Sequence, residues 1–225
     1  MGILFVIGAV ISSCSSEEKL TSENEFYEYF YPYDTLTKVY VYRDVKSGID
    51  EQFHCVYGIE DSQGKHIVVE TFSEDGRILE AINYSIDSLN VMDHMVVDAQ
   101  KIKNAASIGE AQLMPLDRTT QGVFSSVFPV TDSTLFLKEV KRMYDRELSI
   151  AVMGEKADAV CFREELILTL MNPFTKEQGA RGINTLNYYA KGYGLVEWFD
   201  DPEKQSHWKL EKIISREEFT KILSR

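Results

Sequence analysis

The chain has 225 residues, 44% hydrophobic, 12% aromatic and 27% charged, enough for one sizeable core or two small ones. Lys and Arg number 24 against 36 Asp and Glu, a net charge of −12. That balance argues against nucleic-acid binding, which needs a basic footprint, and against attraction to anionic lipid surfaces.

The first legible segment is Ile3 to Ile11, an uncharged apolar run of nine residues. As a helix it would span roughly 14 Å, less than half of a bilayer core. A short apolar run followed by small residues reads as a secretory signal rather than a membrane anchor. Ser12, Ser13 and Cys14 follow. Val10-Ile11-Ser12-Ser13-Cys14 resembles the lipobox of bacterial lipoproteins. The resemblance implies cleavage before Cys14 and lipid attachment to its thiol, with residues 1–13 as signal peptide. The polar run Ser15 to Lys19 then belongs to a solvated tether over 14–25. Its Ser15 resembles the outer-membrane sorting pattern of that family, and Glu17 and Glu18 resemble its surface-export tag.

Phe26 to Tyr33 packs six aromatics and one Pro around a single acid, Glu28. It ends the tether by docking onto the domain, or it exposes Tyr27, Tyr29 and Tyr31 to a glycan or a partner. Short alternations follow. Val39 and Val41 face away from Tyr40 and Tyr42. Phe53, Cys55, Tyr57 and Ile59 share one face, with Gln52, His54 and Val56 on the other. Ile67 and Val69 alternate with His66, Val68 and Glu70. Ile78, Ile82 and Tyr84 form a stripe that includes Glu80. Leu135 and Leu137, then Leu166, Leu168 and Leu170, repeat the pattern. Period two is the strand period. Turn residues at 46–48, 61–64, 73–76 and 200–202 separate runs too close for parallel crossovers. The first half therefore reads as an antiparallel meander.

Residues 103–129 are rich in Ala, Ser, Thr and Gly and weakly patterned. They are expected to form a long irregular connection covering part of the sheet. Tyr188-Tyr189-Ala190-Lys191-Gly192-Tyr193-Gly194 leads into Leu195 to Trp198. Gly192 and Gly194 suit a hairpin turn, since glycine alone takes positive φ readily. The stretch is similar to the late hairpin of periplasmic half-barrel carriers of lipids and lipoproteins, the LolA-like and LppX-like families. That resemblance implies an apolar ligand held by a curved sheet. It carries no site residue. At the end, Ser215 and Glu218 form a capping box, with Ile214 and Phe219 as its staple. They predict a short helix presenting Phe219, Ile222 and Leu223 on one face.

With Cys14 lipidated, Cys55 and Cys161 remain, either as two free core thiols or as a disulfide. No paired Cys or His spacing indicates a metal, so neither metal nor cofactor is expected. Asp93, His94 and Asp98 are the best candidate for catalysis, with a polar strand edge as the plainer reading. His54 and Cys55 diverge as strand neighbours, and no nucleophile elbow is present.

The expected fold is mainly β: a single antiparallel curved sheet or half-barrel over 26–225, covered by an irregular segment and a C-terminal helix. The expected function is that of a non-enzymatic cell-envelope lipoprotein, anchored to the membrane through its N-terminal lipid and binding an apolar ligand or lipid in the half-barrel. Three rivals stand beside it: an interaction subunit of an envelope complex, a surface glycan-binding protein, and an enzyme centred on Asp93, His94 and Asp98.

Overall fold

The computed structural model describes residues 22–97, 101–131, 133–200 and 206–224. The signal segment, Cys14, the tether up to residue 21 and Asp98 lie outside the described residues. A 3-10 turn at Tyr27–Tyr29 opens the fold. Thirteen strands follow: β1 (Lys38–Asp44), β2 (Glu51–Asp61), β3 (Gly64–Phe72), β4 (Ile78–Ser85), β5 (Val91–Val97), β6 (Lys103–Ala105), β7 (Ser107–Gln112), β8 (Gln121–Thr131), β9 (Thr134–Val152), β10 (Glu155–Met171), β11 (Gln178–Ala190), β12 (Gly194–Asp200) and β13 (His207–Ser215). Helix α1 (Arg216–Leu223) ends the described chain.

All strands belong to one antiparallel sheet. Its order is β6-β5-β4-β3-β2-β1-β13-β12-β11-β10-β9-β8-β7. The two edges, β6 and β7, are consecutive in the chain and separated only by Ala106. The sheet must therefore curl until its edges approach. The amide of Ala106 donates to the carbonyl of His94 at 2.8 Å, tying the seam to β5. The result is a sheet nearly closed into a barrel, a way of leaving little free edge.

This corrects the reading of residues 103–129. They do not cover the sheet irregularly; they supply β6, β7 and β8, which extend it and close it. The sequence pattern is weak there because two of these strands are short edge strands with few apolar side chains. Only β8 carries the buried alternation of a strand, through Phe124, Ser126 and Phe128.

Alternation sorts the side chains as expected in the first half. Tyr40 and Tyr42 of β1 point into the barrel, and Val39 and Val41 point out beneath α1. Phe53 and Phe72 join them there, with rings 4.9 and 5.4 Å from Phe219. The capping box forms: Ser215 Oγ accepts from the Glu218 amide at 3.2 Å, and Glu218 accepts from the Ser215 amide at 2.9 Å. In β4, Glu80, Ile82 and Tyr84 face inward together, but Ile78 does not. A bulge at the Thr71/Phe72 register turns Ile78 outward against the helix cluster.

One end of the barrel is plugged by the aromatic segment. Phe26 stacks on Tyr144 at 5.8 Å and meets Phe162 edge-on at 4.9 Å. Phe30 packs on Tyr84 and Tyr31 on Tyr40. Asn24, buried, steers this entry: its side chain accepts from the Phe26 amide and donates to Pro115 O. The opposite end is open, and there the β10–β11 hairpin extends past the end of β12, with Phe174 at its tip 77% exposed. No helix among the described residues is long and apolar enough to cross a membrane.

Candidate functional site

The barrel encloses a cavity of about 340 Å³. Phe30, Tyr31, Tyr84 and Phe124 line its plugged end, and Gln52, Ile183 and Asp200 lie toward its mouth. Its volume sits at the low end of the roughly 300–1,000 Å³ usual for ligand pockets. The wall is mixed rather than apolar. Each charged side chain enters because it occupies an inward position of a strand whose neighbours two residues away are apolar.

Three strands carry most of that charge. Lys138 of β9 donates to Glu80 of β4 at 2.9 Å across the interior. His94 Nε2 lies 3.2 Å from the same carboxylate oxygen, and His94 Nδ1 lies 2.9 Å from Ser126 Oγ of β8. This cluster spans the seam between the two halves of the sheet. Burial works against ionisation of Glu80, yet the Lys138 charge and the hydrogen bonds from His94 and Lys138 hold its carboxyl well below the usual range. Further round, Arg142 of β9 donates through Nε and Nη2 to one oxygen of Glu164 on β10, at 2.9 and 2.6 Å. Its guanidinium lies 5.4 Å over the Tyr189 ring. Both members are nearly buried.

The third constellation is neutral. Tyr31 Oη lies 3.1 Å from Tyr42 Oη and 3.1 Å from His54 Nδ1. Tyr42 donates to the carbonyl of Leu195 at 2.7 Å. His54 stacks against Trp198, which stacks in turn on Trp208. Burial pushes the His54 pKa down to about 4.

The residues singled out from sequence are dispersed. Tyr31 is buried inside the barrel rather than displayed, which corrects its reading as an exposed contact. Tyr27 and Tyr29 are half-buried on the plug, with Tyr27 lining a shallow outer depression beside Glu28 and Lys191. Asp93 faces outward beside Asn83, while His94 faces inward. The carboxylate partner of His94 is Glu80, 14 residues away in sequence. Cys55 and Cys161 are free thiols on β2 and β10, five positions apart in the sheet, so the disulfide alternative gives way to two separate core cysteines. Burial pushes each thiol up to about 11. No group of three ligating side chains able to hold a metal occurs among the described residues.

Glu80, His94 and Ser126 repeat the carboxylate–imidazole–hydroxyl order of a hydrolytic triad. Here Ser126 is 0% and His94 2% exposed, and neither lines the cavity. Sequence reasoning missed this cluster and the Arg142–Glu164 pair, because their members come from different strands. One signal was present: Glu80 sits within an apolar stripe, where an acid requires a partner.

No family model matches the chain, and no curated relative does. Two solved structures are similar to it in fold. One is a protein of Parabacteroides distasonis ATCC 8503, provisionally described as a lipoprotein, at 14% identity and TM-score 0.46, covering 83% of this chain and 98% of its own. The other is an exported protein of Bacteroides fragilis NCTC 9343, also provisionally described, with a YmcC-like fold. It matches at 14% identity and TM-score 0.47, covering 83% and 99%.

Proposed function

We propose that the chain is a non-enzymatic lipoprotein of the bacterial cell envelope, anchored in the outer membrane by lipid on Cys14, whose barrel binds one small molecule. The observation that carries ligand binding is the cavity of about 340 Å³ at the open end of the barrel. Its lining of paired charges and aromatics fits an amphipathic molecule better than a bare lipid chain. Lipidation rests on the Val10 to Cys14 pattern. Ser22 bonds Asp87 O at the plugged end. Eight residues from Cys14 reach at most about 28 Å, so this reading turns the plug toward the membrane and the mouth away from it.

The non-enzymatic reading follows from the sealing of Ser126 and His94, which makes their contact a clamp across the seam. Labelling of Ser126 by a fluorophosphonate would sink it. Replacing Cys14 by Ser is expected to move the protein into the soluble fraction, and membrane retention of that variant overturns the anchor. Native mass spectrometry of the full chain from membranes tests the ligand. An adduct lost on organic extraction is the expected result. A bare mass at every collision energy points instead to the envelope-complex subunit.

A further inference from the structure

The protons of the Tyr31–Tyr42–His54 constellation can be placed in only one order. Tyr42 donates its single proton to Leu195 O at 2.7 Å. The 3.1 Å contact between the two phenol oxygens therefore uses the proton of Tyr31. Tyr31 has no second proton, so its 3.1 Å contact with His54 Nδ1 uses a proton on the imidazole. A neutral ring protonated at Nδ1 carries a bare lone pair at Nε2. Burial favours that neutral ring, with Glu80 opposing weakly from a distance.

His54 is 8% exposed and lines the cavity. Its Nε2 has no hydrogen-bond partner among the described residues. Nε2 opens onto the cavity as an acceptor with no protein partner, so its natural partner is whatever fills the cavity. The cations nearby are already satisfied, Lys138 by Glu80 and Arg142 by Glu164, whereas the Asp200 carboxylate toward the mouth has no ion pair among the described residues. An anionic ligand would have to break one of those pairs. Between them, Val69, Ile82 and Val140 give the wall apolar patches. No set of three ligating groups accompanies His54 among the described residues, so Nε2 is read as an acceptor.

We infer that the cavity takes a small molecule without negative charge that presents one O–H or N–H to Nε2 of His54 and lays an apolar body against Val69, Ile82 and Val140. This rests on the ligand-binding reading above and names the ligand class for that same cavity.

Two probes of nearly equal shape test it, phenol with a donor and anisole without one. The full chain, uniformly labelled with nitrogen-15 and kept in mild detergent, has only four histidines, so the imidazole resonances can be assigned by substitution. The free protein is expected to show His54 unprotonated at Nε2. Phenol should shift that resonance and bind roughly tenfold more tightly than anisole, the effect of one neutral hydrogen bond. His54→Phe should abolish the difference. A proton on Nε2 in the free protein overturns the inference directly and needs no variant. Equal binding of the two probes, or discrimination that survives in His54→Phe, also overturns it while leaving the cavity as a binding site. Binding of neither probe removes the cavity reading, and this inference with it.

Discussion

Gly194 shows how much one residue can carry. It has φ of +86°, and a Cβ there would come within 2.4 Å of the Tyr31 ring. Its lack of a side chain both permits the turn before β12 and lets the plug seat on it. Gly194→Ala should therefore destabilise the fold by roughly 2–4 kcal/mol, combining backbone strain with overpacking, as a lowered urea midpoint would show. His54 offers a second test at this scale. Its pKa falls from the ordinary 6.5 to about 4 because of burial, with Glu80 opposing. The unfolded chain then binds more protons between those values, so stability is full above pH 6.5 and is lost as pH falls toward 4. The loss attributable to His54 is about 3 kcal/mol. Urea titrations at pH 7.5 and 4.5 should show a smaller pH difference in His54→Phe. Of these two roles, the Gly194 turn was legible from its spacing. The burial of His54 was not, because alternation assigns a face without saying which face is inside.

Elements differ in how locally they are determined. Helix α1 is local: its cap and staple lie within six residues, and they form as read. Ser215→Ala should cost about 1 kcal/mol. Phe219→Ala, which empties the site between Phe53 and Phe72, should cost about 3–5 kcal/mol. Measuring both variants by the same urea assay separates capping from packing, and equal losses would show that α1 does not hold the outer cluster. Strands β6 and β7 are not local. Their Ala, Ser and Gly residues have little strand preference, and they become strands because β5 and β8 offer them open edges. The β9–β10 turn is similar. Met153 and Gly154 both take positive φ, as a two-residue hairpin turn requires, yet Met gives no such signal.

At the scale of the whole molecule, the barrel interior is held by ion pairs between strands distant in sequence. Arg142 and Glu164 are nearly buried and satisfy one another. Arg142→Met should destabilise by about 3–5 kcal/mol, because it strands a buried carboxylate. Replacing both, as Arg142→Met with Glu164→Leu, should recover most of that loss. Thermal unfolding followed by circular dichroism compares the two. A double variant as unstable as the single one would mean that the pair is not a self-contained unit.

The sequence by itself determined the strand class, which residues of the early strands share a face, the hairpin at Gly192 and Gly194, and the terminal helix. These depend on periods and turn residues within a few positions of one another. Only the tertiary structure decided that the sheet curls until β6 meets β7, that Tyr31 lies inside, and that Glu80 finds Lys138 and His94. Those outcomes are set by long-range strand pairing. There a buried charge takes the partner that closure of the barrel brings to it, and no local pattern encodes which one that is.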